Sequence, residues 1–388
     1  MKIRKVISHV LEHALTQELG YSQQYYAKRT VHLIEIQTDD GLTGWGECFG
    51  PGGIAHANRA IIYKVIAPMI EGMDALDRDA IWHKVYNLLR DHGQKGMPIQ
   101  ALSGIDIALW DLLGKVAGLP LYQLIGGKHR DQIKVYGYGM MLRREDPATL
   151  AARFTQEAQA IKERGFSAVK MKIGLGPQAD VKLAQAVRTG VGDDFHFMAD
   201  ANHAYNTSDA LYVGRALEEM GATWFEEPIA PEDHDGYREL RSKLKVAIAG
   251  GEAEFTRWGW RHLLQGRCVD IAQPEVCGLG GISEYLRVTA MAQAHFIPVI
   301  NHVWGSDIAT AVNLHLLCAQ PPMPGGLHPA EPMLEFDTTE SRFRDEMMIE
   351  PLQIENQVRN NQSYVRIPNK PGIGVEPDKT YIKSFAIT

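Results

Sequence analysis

Three acidic residues stand 26 positions apart along the middle of the chain: Asp200 closes FHFMAD, Glu226 closes TWFE and Glu252 closes VAIAGGE. Each follows a short apolar run, and a segment with helical spacing precedes the next run. A constant strand-plus-helix step sets successive strands side by side, so that their ends share one rim of a sheet or barrel. Carboxylates gathered on one rim repel unless a cation sits between them. Oxygen ligands of this kind favour a hard ion such as Mg²⁺.

The rhythm runs beyond these acids. Apolar runs fall at Ile133–Tyr138, Ala168–Ile173, Phe195–Ala199, Thr223–Phe225, Val246–Ala249, Val269–Ala272 and Ile297–Ile300. Helix-patterned segments alternate with them at 148–164, 178–189, 208–220, 235–243, 256–265, 281–294 and 306–319. Seven strand–helix units, with an eighth run beginning near Gly326, predict a parallel (β/α) barrel; an open doubly wound sheet is the alternative. Before the barrel, residues 1–50 read as strands, with Arg29–Gln37 turning at Asp39-Asp40-Gly41 into Leu42–Cys48. Residues 56–125 read as helical up to Gly126-Gly127. The stretch after 350 reads as strand-rich and is expected to return to the first domain.

A chain of 388 residues accommodates one barrel plus an addition. Its net charge of −7 is spread along the sequence, which argues against a nucleic-acid surface. No apolar stretch reaches membrane-spanning length, and the basic start lacks a signal-peptide core. Cys48, Cys268, Cys277 and Cys318 form no C-x-x-C pair, as expected of reduced thiols in a cytoplasmic protein.

Chemistry in a barrel collects at the C-terminal strand ends. Read in order, those ends carry Lys170 and Lys172, Asp200 with Asn202, Glu226 with Glu227, Glu252, Glu275 and His302. Any one acid alone reads as a helix cap or surface charge; the ordered set does not. Lys170 and Lys172 share a strand face. On an edge strand they would be solvated charges, but on a barrel strand they point inward, where crowding with other cations lowers a lysine's pKa towards that of a general base. His302 alone would read as a core histidine. With Glu275 one unit earlier, it reads as an imidazole held in one tautomer by a carboxylate. Cys277-Gly278-Leu279-Gly280-Gly281 reads either as a tight βα loop or as a phosphate cradle, without the P-loop lysine. Trp258, Trp260 and Trp304 read as pocket lining or packing.

The pieces ALSGIDIALWDLLGKVAGLPLYQLIGG, AVKMKIG, MADANHAY, WFEEP, AGGE, QPEVCGLGG, NHVWG and PGIGVE together resemble the enolase superfamily, mandelate racemase subgroup. The forms RDHGQKG, DANHAY and HVWG are most similar to its acid-sugar members. This resemblance implies a modified TIM barrel, (β/α)₇β, over residues 131–350. It also implies an α+β cap built from residues 1–130 and the segment 351–388. It implies Mg²⁺ on Asp200, Glu226 and Glu252, with Glu227 behind the metal. Lys172 and His302 are implied as bases, Lys170 as the cation facing the substrate carboxylate, and Asn202 as a substrate contact. Glu335 is implied as the strand-eight acid, with Glu331 as its rival. Glu275 departs from the aspartate usual at that place, which bears on the His302 pair.

Substrate choice is expected in the cap segments 20–29 and 47–56, with Tyr25, Lys28, Arg29 and the barrel's Trp304 as substrate contacts. The implied reaction is removal of a proton α to a carboxylate, then β-elimination, on an acid sugar or its lactone. The alternatives are racemisation or epimerisation, dehydration of a cyclic hydroxy-amino acid such as a hydroxyproline, and a non-catalytic sugar-acid binder. The expected partner is a small carboxylate substrate, with neither nucleic acid nor membrane, and the expected assembly is a homo-oligomer, dimer or octamer.

Overall fold

The fold was obtained as a computed structural model, which describes residues 1–357 and 362–387. Residues 358–361 and Thr388 of the expected C-terminal segment lie outside the described residues. Three antiparallel strands open the chain: β1 (Ile3–Tyr21), β2 (Gln24–Thr38) and β3 (Thr43–Cys48). Helices Gly53–Ile61, Arg78–Leu89 and Met97–Ala117 follow. The last of these lies flat on β3, where a Cβ at Gly46 would fall 2.1 Å from the carbonyl of Gly104. Glycine is what lets strand and helix approach so closely.

The larger sheet is the barrel. β4 (Gln132–Met140), β5 (Ala168–Lys172), β6 (His196–Asp200), β7 (Trp224–Glu226), β8 (Ala247–Gly250) and β9 (Ile271–Ala272) pair in parallel in chain order. β10 (Met333–Asp337) pairs in parallel with β4 and brings the last strand back to the first. Three differences from the sequence reading stand out. Part of the segment after 350 joins the barrel sheet instead of the cap: β11 (Ile354–Gln357) pairs antiparallel with β12 (Gln362–Arg366), and β12 pairs antiparallel with β4. The run Ile297–Ile300 forms only a bridge, Ala272 to Val299. The eighth strand starts at Met333 rather than near Gly326. Pro321, Pro322, Pro324, Pro329 and Pro332 punctuate that approach, and proline gives a strand ladder no N–H.

Local signals fix the helices between strands. Asp146 accepts from the amides of Ala148 (3.0 Å) and Thr149 (3.1 Å) at the start of Pro147–Glu163. Asn206 accepts from Asp209 N at 2.9 Å ahead of Thr207–Glu219. Asp233 accepts from Gly236 N at 2.8 Å, which anchors the polar helix His234–Lys243 through its few buried residues, Tyr237 and Leu240 among them. Each cap satisfies a helix-end amide that would otherwise lack a partner.

Strand alternation then divides the barrel. Val169, Met171, Phe197, Ala199, Phe225 and Ile248 face outward into the main core beneath the helices. Tyr136, Ala168, Met198, Trp224 and Ala249 fill the lower interior. The next inward positions up the strands are Lys170, Lys172, Asp200 and Glu226, so the apolar floor and the charged mouth are consecutive layers of one alternation.

Cap and barrel interlock through buried polar groups. Asp106 on Met97–Ala117 accepts from Ser283 N (2.8 Å) and Ser283 Oγ (2.6 Å), and Ser103 Oγ accepts from Gly280 N (2.8 Å). The glycine loop 277–281 therefore meets the cap's Ser103, the helix it opens meets the cap's Asp106, and the phosphate-cradle alternative gives way to a docking role. Near the chain's end, Ile387 N donates to Val10 O (2.8 Å), and the helix Lys379–Phe385 packs on β1. His315 joins three parts of the molecule: its Nδ1 accepts from Tyr122 N (3.3 Å), and its Nε2 donates to Ile373 O (3.0 Å).

Only neutral imidazole makes both His315 bonds, because a proton on Nδ1 would face the Tyr122 N–H. Burial pushes its pKa down to about 4 from an ordinary 6.5. A depressed histidine contributes stability that is present above pH 6.5 and lost as pH falls through 4. The melting temperature should therefore fall between pH 6.5 and 4. His315→Gln should flatten that part of the profile; an unchanged slope in differential scanning calorimetry would remove His315 as its source.

Candidate active site

Strand register assembles the site. Lys172 pairs across the ladder with Asp200, and Asp200 with Glu226, so the three end their strands in one layer. Glu226 is level with Ala249, so Glu252 lies beyond the end of β8. Gly251 turns the chain there at φ +126°, where a Cβ would strike Trp260 at 2.3 Å. The equal 26-residue step thus hides a loop placement for the third acid. Even so, ligand oxygens of Asp200, Glu226 and Glu252 all lie within 4.8 Å of one another. An octahedral ion with oxygens at about 2.1 Å spans roughly 3–4 Å between ligands, so the spacing and the oxygen-only donors fit a hard divalent cation.

Two lysines are threaded through these acids. Lys170 Nζ lies 2.5 Å from Glu226 Oε1, 2.6 Å from Glu335 Oε1 and 3.9 Å from Asp200 Oδ2. Burial opposes its charge, but Glu226 and Glu335 overcome that and hold its pKa well above the ordinary lysine range. Lys172 donates to Asp200 Oδ2 and, at 2.7 Å, to Asn202 Oδ1. Here too burial is outweighed, chiefly by Asp200, so its pKa is raised. The expected depression by crowded cations is thus reversed among the acids alone. Beneath both ammonium groups lies the ring of Tyr138, 5.4 Å from Lys170 Nζ and 5.0 Å from Lys172 Nζ.

At the other end of the acid set, His302 Nε2 lies 3.2 Å from Glu252 Oε2, and its Nδ1 lies 2.6 Å from Glu275 Oε2. Burial works against the imidazolium, yet Glu252 and Glu275 raise its pKa to about 10. Glu275 also accepts from Cys277 N through Oε1 at 2.8 Å, so the longer side chain reaches the histidine while tied to its own loop. Glu335 Oε2 accepts from Val303 N at 3.0 Å, which links strand eight to the His302 loop. Its rival Glu331 is half-exposed and pairs with Lys134 (3.3 Å).

The cap residues fall differently from expectation. Segment 20–29 is the end of a hairpin in which Tyr21 pairs with Gln24 and Ala14 with Lys28. Lys28 is 64% exposed and bound to Glu12. Tyr25 lies under Arg144, with the guanidinium 4.3 Å from its ring. Arg29 is buried against Asp337 and lies 4.1 Å above the Trp304 ring. None of the three converges on the carboxylates. The turn instead holds a backbone group at the mouth: Ser22 Oγ (2.7 Å) and Gln23 Nε2 (2.8 Å) donate to the carbonyl of Asn202. Within 47–56, Gly53–His56 begin a helix instead of a free loop. Trp304 meets Tyr26 and Tyr138 edge-on, at 6.1 and 5.8 Å. Trp258 stacks on Tyr86 at 4.6 Å, and Trp260 is fully buried.

Sequence reasoning missed several supporting groups. Trp224 Nε1 (2.9 Å) and Gln273 Nε2 (2.8 Å) both donate to Glu226 Oε2. The i, i+2 step from Trp224 to Glu226 was a usable signal; nothing in the sequence tied Gln273 to Glu226. Among the described residues, neither carboxylate oxygen of Glu227 has a hydrogen bond, although His203 Nε2 stands 3.3 Å from Oε2. Burial, then Glu252 and Asp200, push its pKa well up.

The barrel, its cap and this charged mouth define a class of barrel proteins built to hold a cation at their strand ends. Residues 153–381 match the model described as enolase C-terminal domain-like. Residues 10–126 match the N-terminal domain of mandelate racemase / muconate lactonizing enzyme. The chain belongs to this mandelate racemase / muconate lactonizing enzyme family of the enolase superfamily. It is 38% identical over 385 residues to a D-galactarolactone cycloisomerase of Agrobacterium fabrum, covering 99% of each chain. It is 34% identical over 344 residues to an arabinonate dehydratase of Saccharolobus solfataricus, covering 88% of this chain and 86% of the relative. A crystal structure of 3,6-anhydro-D-galactonate cycloisomerase from Zobellia galactanivorans superposes with a TM-score of 0.86 at 32% identity, over all of both chains.

Outer-sphere changes at metal sites cost about 10–100-fold in affinity, so loss of a direct ligand should cost at least that much. In calorimetric titration with Mg²⁺, Glu252→Gln should bind at least tenfold more weakly than the parent protein. Parent-like affinity in that variant would take Glu252 out of the metal centre.

Proposed function

We propose that this protein removes a proton α to the carboxylate of an acid sugar or its lactone and then eliminates a group from the β-carbon. The observation that carries this reading is the pair of proton-transfer groups at the two ends of the acid cluster. Lys172 is hydrogen-bonded to Asp200, and His302 reaches Glu252. Similarity to a cycloisomerase and a dehydratase supports elimination over racemisation, and acid sugars over cyclic amino acids.

Asp200, Glu226 and Glu252 hold the ion in this reading, and Mg²⁺ suits three carboxylates best. When bound, the ion supplies positive charge against the substrate carboxylate and relieves Asp200 of its dependence on Lys172. Lys170, fixed between Glu226 and Glu335, adds a buried cation where negative charge grows in the enolate. The face that carries the α-hydrogen decides whether Lys172 or His302 takes it. Electrons from the broken C–H bond form the enolate and return to expel the β-oxygen. A hydroxyl leaves as water with a proton from the opposite group; a lactone's ring oxygen leaves as a carboxylate. Glu275 holds the His302 ring through Nδ1 and leaves Nε2 to face the mouth. The reading includes a cytoplasmic setting, supported by four free, buried cysteines.

Incubation with sugar acids, diacids and their lactones in D₂O with Mg²⁺ should give α-deuterium incorporation and a 2-oxo product, both visible by NMR. Absence of exchange and of product across that whole set would sink the proposal.

A further inference from the structure

The cap strand β3 ends against the wall of the site that carries His302. Glu47, one residue before the end of that strand, is 2% exposed. Its carboxylate accepts from Ser306 N (3.0 and 3.2 Å), Ser306 Oγ (2.6 Å) and Ala309 N (3.2 Å). Ser306 lies four residues after His302 and starts the helix Asp307–Ala319, so the acid sits on a helix N-terminus, where backbone amides converge. The loop closes tightly on it: a Cβ at Gly305 would fall 2.4 Å from Glu47 Oε1. Two residues further on, Phe49 N donates to Cys277 O at 2.8 Å. The Phe49 ring meets the His302 ring edge-on, with centroids 5.8 Å apart and planes at 83°. Cys277 N in turn holds Glu275 Oε1.

A helix cap alone would need one of these contacts. Instead, two cap residues, Glu47 and Phe49, reach the two barrel loops that carry the Glu275–His302 pair, and Phe49 then leads into the glycine turn 50–52. We infer that Glu47 is a positioning residue: by gripping Ser306 and Ala309 it sets the His302 imidazole against Glu275 and the substrate, and ties that setting to the cap's second substrate segment. The inference rests on the elimination reading above. Burial pushes the Glu47 carboxyl up to about 7, and Glu275 adds to the rise.

The test uses the ratio of α-deuterium exchange to product formed, which does not depend on how much of a preparation is active. Glu47→Gln keeps the side chain's size but turns an amide NH₂ towards amide donors. It should change that ratio by about threefold or more, because exchange and elimination weigh the two proton-transfer groups differently. Its kcat should fall about tenfold to a hundredfold, the scale of a small misplacement of a reacting group, with KM nearly constant. Ser306→Ala, which keeps the backbone donors, should shift the ratio in the same direction by less. A folded Glu47→Gln with the parent ratio overturns the inference. If Glu47→Gln does not fold, a parent ratio in Ser306→Ala overturns it, and a shifted one supports it. Should the parent protein neither exchange nor eliminate, the functional reading fails on its own. The clamp is then read from the downfield Nδ1 proton of His302, assigned by its absence in His302→Ala. Its loss in Glu47→Gln supports the inference, and its survival contradicts it.

Discussion

The barrel mouth depends on one constraint: acids that cannot share a buried space without cations. At an effective dielectric near 20, two carboxylate charges 4.8 Å apart repel by about 3.5 kcal/mol. Three such pairs approach 10 kcal/mol, comparable to the net stability of a whole domain. The chain meets this with Lys170 and Lys172, on one face of β5: Lys172 lies against Asp200 on the neighbouring strand, and Lys170 against Glu226 two strands away. Their raised pKa values express the same fact: burial works against each ammonium, and the acids win. The arrangement is poised, because a divalent cation among the three acids would compete with the lysines for the same oxygens.

A second layer of order comes from the cap. Asp106 meets the first turn of the helix Gly281–Ala294, Glu47 meets the start of Asp307–Ala319, and Ser22 with Gln23 meets the Asn202 carbonyl. The first two contacts fall beside the loops of Glu275 and His302, and the third falls on the backbone of Asn202 rather than on its side chain. The cap can therefore vary its own surface while Asn202, Glu275 and His302 stay aimed, which suits a fold that hosts different activities.

The strand–helix period, the helix limits and the order of the rim residues were legible in the sequence, because each rests on local patterning and register converts that patterning into proximity. Lys172, Asp200 and Glu226 come together by strand pairing alone. Glu252 arrives by a glycine turn that mimics the same spacing. The cap was less legible. Lys28 and Arg29 look like substrate cations in a polar stretch, but hairpin pairing carries Lys28 out to Glu12 and Asp337 claims Arg29. Glu47 and Gln273 gave no signal, since their partners lie 259 and 47 residues away. Contacts at that range are written in the fold, not in local pattern.

The central claim is that this acid cluster is a metal centre set between two proton-transfer groups. Crystals grown with Mn²⁺, a scattering stand-in for Mg²⁺, test it most directly through the anomalous signal. The account predicts one strong peak, about 2.1 Å from an oxygen of each of Asp200, Glu226 and Glu252. An ion bound elsewhere, or held by Glu227 in place of Glu226, would contradict it.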